Sequence, residues 1–347
     1  MIELRTGNLL EADADALVNT VNTVGVMGKG IALQFKKAFP ALEGPYKRAC
    51  QSGELRPGKV HVYELAGMLQ HPRYIINFPT KRDWKHPSRL SDVREGLSDL
   101  VKVIGELQIE SIAVPPLGCG NGGLDWNDVY PMIEEALGGL NNVRVLVYGP
   151  NGAPPPEQQI NRTKKPRMTP NRAALLGLLA RYRELDYPLS MLEIQKLAYF
   201  LQATGQPLGL TFVAHHYGPY ADDLRKVLRD LEGHYIIGFG DGNNQPETPI
   251  ALVPLGVPEA EVVLHGDPET IRRFEQVAAM IEGYETPYGL ELLSTVHWVG
   301  RLENSPARDS GEALLRIRGW NPRKSELMRA EHVAAAWNRL QEHDAFN

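Results

Sequence analysis

The sequence predicts an α/β domain over residues 1–150, followed by a mainly α-helical domain over residues 171–347. In the first part, short apolar runs alternate with segments of helical periodicity, a pattern typical of a sheet covered on both sides by helices. Several runs, such as "YIINF" and "VRVLVYG", are continuously apolar, which indicates strands buried on both faces. After residue 170 the strand pattern gives way to amphipathic helices.

Six strands and four helices are predicted in the first part, in alternation along the chain. The strands are Ile2–Arg5, Ala16–Asn19, Lys59–Leu65, Tyr74–Phe78, Ser111–Pro115 and Val143–Tyr148. The helices are Gly30–Phe39, Ala41–Ser52, Arg89–Leu107 and Trp126–Leu140. Residues 151–170, "NGAPPPEQQINRTKKPRMTP", predict a linker because they are rich in proline and polar residues and lack apolar periodicity.

The second part carries helix start and stop signals. Ser190 followed by Glu193 forms a capping box ahead of an apolar helix. The stretch "GPYADDLRKVLRDLEG" predicts a helix with Pro219 near its first turn and Gly233 at its end. Two short strands around a polar turn are predicted in "YIIGFGDGNNQPETPIALVPLG". Further helices are predicted in "DPETIRRFEQVAAMIEG" and "RAEHVAAAWNRLQEH".

Composition excludes several protein classes. The 347 residues are 43% hydrophobic but contain no run long enough to span a membrane, and "MIELRTGNLL" lacks the order of a signal peptide. The two cysteines, Cys50 and Cys119, are far apart, so neither a disulfide framework nor a cysteine zinc site is expected. His61, His71 and His86 lack ligand spacing. We therefore expect a cytoplasmic protein without a metal or a cofactor.

Charge is distributed unevenly along the chain. Residues 1–150 carry 16 Lys and Arg against 17 Asp and Glu, and residues 151–170 carry 4 against 1. Residues 171–347 carry 17 against 24, a balance of −7. An acidic second domain favours a basic partner, although an acidic surface can also serve only for solubility.

Two glycine-rich loops follow predicted strands. The first, "GVMGKG", precedes the helix "IALQFKKAF", and glycine lets main-chain N–H groups approach an anion at a helix N-terminus. It is not a Walker A loop, since Gly30 stands where Ser or Thr would follow the lysine. The second, "PPLGCGNGGLDW", fits the letters of a dinucleotide-binding motif but lacks a downstream acidic strand end. Two such loops on one sheet predict a diphosphate site, with a plain strand-to-helix turn as the alternative for the first loop alone.

Three stretches together are similar to a known family. "TGNLLEADADALVNTVNTVGVMGKGIALQFK", "INFPTKRDWKHPS" and "PPLGCGNGGLDW" resemble the signatures of macrodomains, which are ADP-ribose-binding modules, over residues 1–150. The lysine in "FPTKRDWKHPS" resembles the branch that includes DarG-type antitoxins. This resemblance implies a three-layer α/β/α fold with a mixed central sheet. It also implies hydrolysis of the bond between ADP-ribose and thymine in single-stranded DNA, with ADP-ribose as the product.

The resemblance assigns site residues position by position. It implies catalysis by Lys81, and adenine recognition by Asn8 where many relatives have aspartate. The implied ADP-ribose-binding set is Asn8, Leu9, Asn19, Asn22, Gly28, Gly30, Ile31, Thr80, Leu117, Gly118, Cys119, Gly120 and Gly122. Gly122 stands where related lysine-type macrodomains carry a cooperating aspartate. Either Lys81 works without that carboxylate, or Asp125 or Asp83 replaces it.

The chemistry leaves some roles open at this stage. Lys81 either attacks the ribose carbon as a neutral amine or stabilises the departing base as an ammonium. Arg82, Lys85 and Arg89 either follow DNA phosphates or form a solvated basic face. Trp84 either stacks on a flanking base or anchors its loop in the interior.

The second domain has its own resemblance. "IQKLAYFLQATG" and "HHYGPYADDLRKVL" look similar to Panacea (SocA-like) antitoxin domains over about 50 residues. This implies that the second domain binds and neutralises a DarT-type ADP-ribosyltransferase toxin. Two other functions stay open: an ADP-ribose reader without turnover, and a hydrolase acting on ADP-ribosylated glutamate in proteins.

Overall fold

The computed structural model describes most of the chain. The described residues are 1–65, 71–152, 154–155, 158–183, 189–240, 248–254 and 256–346. They divide into two compact units, the first ending at Lys164 and the second beginning at Lys165.

A six-stranded sheet forms the centre of the first unit. Its strands are β1 (Ile2–Arg5), β2 (Ala16–Asn22), β3 (His61–Glu64), β4 (Tyr74–Lys81), β5 (Ser111–Val114) and β6 (Arg144–Tyr148). The spatial order is β1-β6-β5-β2-β4-β3. All neighbouring pairs are parallel except β3 with β4, so the sheet is mixed. The six predicted strands are confirmed, and β2 and β4 each extend three residues beyond the prediction.

Helices cover both faces of this sheet. They are α1 (Gly30–Ala38), α2 (Glu43–Ser52), α3 (Leu90–Glu106) and α4 (Trp126–Leu137). On one face, Phe35 of α1 and Tyr46 of α2 pack against β2 and β4. On the other face, Leu97 of α3 and Ile133 of α4 pack against the same strands. The predicted three-layer α/β/α fold is therefore confirmed, because strands buried on both sides need a helical layer on each.

Described residues of the 151–170 segment belong to both units. Ile160 packs against the core of the first unit, and the Arg162 N–H donates to the Lys37 carbonyl at 2.8 Å. Met168 is buried in the core of the second unit, and the first helix of that unit begins at Pro170. The segment is thus anchored on both sides of the boundary at Lys164.

The second unit is mainly helical. Its helices are α5 (Pro170–Arg183), α6 (Met191–Ala203), α7 (Asp222–Leu231), α8 (Gly256–Leu264), α9 (Pro268–Ile281), α10 (Pro287–Gly300), α11 (Ser310–Arg318), α12 (Pro322–Leu327) and α13 (Ala330–Glu342). The predicted capping box at α6 is present, with the Ser190 side chain on the Glu193 N–H and the Glu193 carboxylate on the Ser190 N–H. Within the described residues, no helix is both long and apolar enough to cross a lipid bilayer.

Short strands complete the second unit. They are β7 (Leu189–Ser190), β8 (Val213–His215), β9 (Gly218–Tyr220), β10 (Ile236–Ile237) and β11 (Pro249–Leu252). β10 and β11 are the two predicted strands, and the turn at 241–247 lies outside the described residues. Pro219 lies in β9 and not in the first turn of α7, because the hairpin formed by β8 and β9 uses it.

Candidate active site

Three chain segments meet at one edge of the central sheet. Because β5, β2 and β4 are parallel neighbours, their carboxyl ends lie side by side. The first glycine loop (residues 22–30) follows β2, and the second glycine loop (residues 117–123) follows β5. The lysine segment (residues 81–88) begins with the last residue of β4. This edge therefore gathers the three stretches that carried the sequence resemblance.

Asn22 organises the first glycine loop. Its Oδ1 accepts hydrogen bonds from the N–H groups of Val24 and Val26 at 3.1 and 3.2 Å, and its Nδ2 donates to the Val26 carbonyl at 2.6 Å. The buried Tyr46 hydroxyl supports Asn22 from α2, donating to its carbonyl at 2.7 Å. The Asn22 side chain thus fixes the loop that surrounds the site, and its contact with the ribose stays a prediction.

The first glycine loop ends in a helix N-terminus suited to an anion. Lys29 is the N-cap of α1 and provides no side-chain cap hydrogen bond to the first turn. Gly30 begins the helix with φ +60°, a backbone conformation that side chains rarely adopt. The main-chain N–H groups at the start of α1 and the positive end of its dipole can therefore receive a phosphate near Gly28 and Ile31.

The second glycine loop is closely packed. Gly118 has φ +74°, and its carbonyl accepts the Leu124 N–H at 3.1 Å. Gly122 has no room for a side chain, since a Cβ there would lie 2.2 Å from the Gly118 carbonyl oxygen and 2.3 Å from Ser88 Oγ. Leu117 buries its side chain completely, so only its main chain can serve a ligand.

This packing explains the missing aspartate. A carboxylate at position 122 would require the loop to open around Gly118 and Ser88. Asp125, one proposed substitute, is the N-cap of α4 and accepts the Asn127 N–H at 2.8 Å. Asp83, the other, is the carboxylate whose charge acts on Lys81. Of the two carboxylates, Asp83 is the one whose charge favours the ammonium form of Lys81.

Lys81 ends β4 immediately after a β-bulge. Pairing with β2 advances one residue between Val21 and Asn22, so that Thr80 is the extra residue and Lys81 pairs with Asn22. Lys81 is partly buried, and its Nζ donates to the Trp84 carbonyl at 3.3 Å. Burial lowers the pKa of the Lys81 ammonium below its ordinary value, against an opposing effect of Asp83. At a given pH, a larger fraction of Lys81 is therefore the neutral amine than in a free lysine.

The lysine segment connects the two glycine loops. At its start, the Thr23 N–H donates to the Lys81 carbonyl at 3.1 Å and the Thr23 hydroxyl donates to the Arg82 carbonyl at 2.7 Å. At its end, the Ser88 N–H donates to the Gly122 carbonyl at 2.9 Å. Both loops are thereby held at fixed positions relative to Lys81. Thr23 and Ser88 were not predicted, because their roles depend on contacts between distant parts of the chain.

The cations and the tryptophan of the lysine segment differ in their surroundings. Arg82 forms two hydrogen bonds with the buried Asp92 carboxylate, at 2.9 and 3.1 Å, so it anchors the segment to α3. Lys85 Nζ lies 5.1 Å from the centroid of the Trp84 ring. The Trp84 side chain is 54% exposed, which rules out its interpretation as a buried anchor.

Asn19, also predicted to bind ADP-ribose, bonds to a neighbouring strand. It is fully buried in the middle of β2, where its Nδ2 donates to Asn77 Oδ1 at 3.0 Å. Asn77 in turn donates to His61 Nδ1 at 3.3 Å, so the three side chains form a chain across β2, β4 and β3. Asn19 is therefore a cross-strand partner within the core layer and not part of the loop edge.

Asn8 and Leu9 lie at the same sheet edge, beyond β1. Asn8 caps a short 3-10 helix (Leu9–Glu11), with its Oδ1 accepting the Leu10 N–H at 3.1 Å. The Asn8 Nδ2 is buried and has no hydrogen-bond partner. Leu9 buries its side chain in the core. The group of Asn8 without a partner is therefore its amide N–H donor. Recognition of the adenine amino group was expected to use an acceptor, the amide oxygen, which here accepts the Leu10 N–H.

Comparisons with known proteins agree with this geometry. The macro domain family model matches residues 18–133. The DNA ADP-ribosyl glycohydrolase of Thermus aquaticus is 50% identical over 340 residues, which cover 98% of this chain and 93% of that protein. This chain belongs to the DNA ADP-ribosyl glycohydrolase family.

Two further comparisons cover part of the chain. The solved macrodomain of Thermus aquaticus DarG is 58% identical and covers 43% of this chain and 99% of its own, with a TM-score of 0.42. A DNA ADP-ribosyl transferase–DNA ADP-ribosyl glycohydrolase fusion protein of Thermosipho africanus is 34% identical over 174 residues, 46% of this chain and 45% of that protein. Among the described residues of this family member, no group of three or more His, Cys, Asp or Glu side chains is arranged to hold a metal ion.

Proposed function

We propose that this chain hydrolyses the N-glycosidic bond between ADP-ribose and a thymine ring nitrogen in single-stranded DNA, with Lys81 as the catalytic residue. The observation that carries the proposal is the position of Lys81, which pairs with Asn22 at a β-bulge and begins the segment that connects both glycine loops. Membership in the DNA ADP-ribosyl glycohydrolase family supports the same reaction.

The order of strands at the sheet edge suits an elongated ligand. Asn8 follows β1, the second glycine loop follows β5, the first follows β2, and Lys81 ends β4. From β1 to β4 there are four strand spacings of about 4.8 Å, or about 19 Å in all. We place adenine near Asn8, the diphosphate between the two loops and the distal ribose beside Lys81. Adenine, diphosphate and distal ribose then lie along the sheet edge in the same order as they are linked in ADP-ribose.

Lys81 acts as a nucleophile in this proposal. Its neutral Nζ attacks ribose C1″ while the bond from C1″ to the thymine nitrogen breaks, and the electron pair of that bond leaves with the base. The proton released by the new amine adduct goes to the departing imide. Water then attacks C1″ and its oxygen stays on that carbon, while the electron pair of the C1″–Nζ bond and one proton of the water go to Nζ. This step returns the neutral lysine amine and releases free ADP-ribose. The lowered pKa of Lys81 increases the fraction of amine available for the first step.

The surroundings of Lys81 favour this chemistry without a strong acid. An imide anion is delocalised over two carbonyl oxygens, so it departs with modest assistance. Positive charge develops on the ribose as the bond breaks, and the negative charge of a diphosphate bound by the glycine loops would stabilise it. The connection of both loops to residues 81–88 keeps that geometry fixed during the reaction.

We further propose that the second unit binds an ADP-ribosyltransferase toxin of the DarT type, so that the chain is an antitoxin. The fusion of transferase and glycohydrolase in the Thermosipho africanus relative supports a functional link between the two enzymes. The balance of −7 in residues 171–347 suits a partner with a basic groove for single-stranded DNA. Binding to the purified toxin should therefore weaken several-fold when salt is raised from 50 to 300 mM, on the order expected for screened charges. An affinity for the toxin that does not depend on salt would contradict the proposal that opposite charges hold the second unit and the toxin together.

The central experiment is a glycohydrolase assay on ADP-ribosylated single-stranded DNA. The wild-type chain should release free ADP-ribose, and Lys81→Ala should bind ADP-ribose without releasing it. Release by Lys81→Ala at the wild-type rate would contradict the assignment of Lys81. Binding without release by the wild type would identify an ADP-ribose reader. A preference for ADP-ribosylated protein over DNA in direct competition would identify a protein hydrolase.

A further inference from the structure

The rim of the candidate active site carries exposed apolar side chains. Trp84 is 54% exposed, and Val24 and Val26 of the first glycine loop are 49% and 41% exposed. All three belong to the segments that surround Lys81. Single exposed apolar residues are ordinary on protein surfaces, but apolar residues concentrated at the mouth of a site indicate a contact surface.

The two segments that carry this rim are joined. Thr23 precedes Val24, and its hydroxyl donates to the Arg82 carbonyl at 2.7 Å, two residues before Trp84. Val26 is fixed by both polar atoms of the Asn22 amide. Trp84 is fixed by its own carbonyl, which accepts the Lys81 Nζ at 3.3 Å. The Trp84 ring and the methyl groups of Val24 and Val26 are therefore exposed on two main-chain segments that are both fixed by hydrogen bonds near Lys81.

Charge at the rim suits a polyanion. Lys85 Nζ lies 5.1 Å from the Trp84 ring centroid, so an ammonium accompanies the aromatic surface. Arg89, the N-cap of α3 immediately after this segment, is also exposed, whereas Arg82 is engaged by Asp92. An exposed aromatic ring with adjacent cations is the combination by which proteins hold unpaired bases and their phosphates.

We infer that Trp84 stacks on a DNA base next to the modified thymine, so that the substrate is an oligonucleotide and not an isolated nucleotide. This inference rests on the proposed function. Trp84 touches the neighbouring nucleotide and not the reacting atoms, so it determines substrate length and affinity. Val24 and Val26 form the apolar wall on the other side of the reacting sugar. The ring has no hydrogen-bonding preference among bases, so the contact tolerates any neighbouring base.

The test compares two substrates and three variants of the full chain. The substrates are an ADP-ribosylated single-stranded oligonucleotide and ADP-ribosylated thymidine. Trp84→Ala should raise KM for the oligonucleotide about tenfold more than for the nucleoside, the order that one base–aromatic stack provides. Trp84→Phe should restore most of the loss, because it returns a ring. Leu315→Ala removes another exposed apolar side chain, from α11, and should change neither KM.

Binding separates this inference from the proposed function. Anisotropy of the labelled, modified oligonucleotide reports affinity even where no ADP-ribose is released. A wild type that binds the strand about tenfold more tightly than Trp84→Ala, yet releases nothing, would contradict the proposed hydrolysis and support the stacking contact. Equal KM and equal affinity for wild type and Trp84→Ala would overturn the inference. An equal loss on both substrates would also overturn it, since Trp84 would then act on the site as a whole.

Discussion

Asn22 and Lys81 pair across β2 and β4 one residue out of the register that the six preceding residues of β2 follow. The bulge at Thr80 gives Lys81 its position at the sheet edge, opposite the residue that organises the first glycine loop. A bulge of this kind commonly directs a side chain toward a site, because the extra residue bends the strand. The position of the Lys81 amine, which we propose to be catalytic, therefore depends on the pairing of two strands and not on the loop alone.

Substitution of Lys81 should separate its two potential roles. Lys81→Ala should lower kcat by roughly a thousandfold or more while leaving ADP-ribose affinity within about threefold, because the amine is needed for bond cleavage. Lys81→Arg keeps the positive charge but provides no nucleophile, so it should be equally inactive. Single-turnover assays with both variants measure this. Substantial activity in Lys81→Arg would assign the lysine an electrostatic role instead.

The pH dependence should follow the Lys81 amine. Burial lowers its pKa, and the proposed mechanism uses the deprotonated amine, so kcat/KM should rise with pH and level off below the ordinary lysine value. Asp83 opposes this effect by favouring the charged amine. Asp83→Asn should therefore move the rising limb to lower pH. A profile unchanged by Asp83→Asn, measured from pH 6 to 10, would contradict this account.

Gly122 should be the least replaceable residue of the second glycine loop. A methyl group there would collide with the Gly118 carbonyl and Ser88 Oγ, so Gly122→Ala should open the loop at a cost of about 1–3 kcal/mol. Isothermal calorimetry should then show loss of ADP-ribose binding. Gly105→Ala, in α3 with no atom within 4 Å of the added carbon, is the matched control. Retention of ADP-ribose affinity by Gly122→Ala would show that the loop does not contact the ligand as proposed.

The hydroxyl of Thr23 should contribute more to kcat than its methyl group does. Thr23→Val preserves shape and the N–H that donates to Lys81, but removes the bond to the Arg82 carbonyl. We expect kcat to fall about tenfold because the lysine segment loses one support, whereas Thr23→Ser should keep most of the rate. Steady-state kinetics of the pair tests this. Equal rates for the two variants would show that the connection does not position Lys81.

Much of the first unit follows from the sequence, and the exceptions have a physical cause. Continuous apolar runs such as Tyr74–Phe78 can only be buried strands, so their positions were predicted closely. Asn19 and Asn22 look equivalent in the sequence, yet one bonds to a neighbouring strand and the other closes a loop. That difference depends on which strands pair and in what register. The same holds for Thr23, which bonds to Arg82, and for Ser88, which bonds to Gly122, because the partners are 59 and 34 residues apart in the chain.

A buried histidine should make the stability of the second unit sensitive to acid. His297 in α10 donates its Nε2–H to the Ala345 carbonyl at 2.9 Å and accepts the Tyr199 hydroxyl at Nδ1 at 2.7 Å, and burial lowers its pKa to about 4. The unfolded chain takes up a proton near pH 6.5, before the folded chain does. Stability is therefore fully present above pH 6.5 and falls by about 3 kcal/mol as the pH decreases toward 4.

Urea denaturation of the full chain at several pH values measures this loss, with Trp337 of α13 reporting on the second unit. Trp337 stacks against Phe346 with ring centroids 4.4 Å apart, close to the C-terminal segment that His297 holds. His297→Gln should flatten the dependence between pH 6.5 and 4, at the cost of lower stability at neutral pH, because the amide does not titrate. His216→Gln, an exposed histidine of the β8–β9 hairpin, should leave the dependence unchanged. The same pH dependence in wild type and His297→Gln would mean that other groups, and not this histidine, govern unfolding by acid.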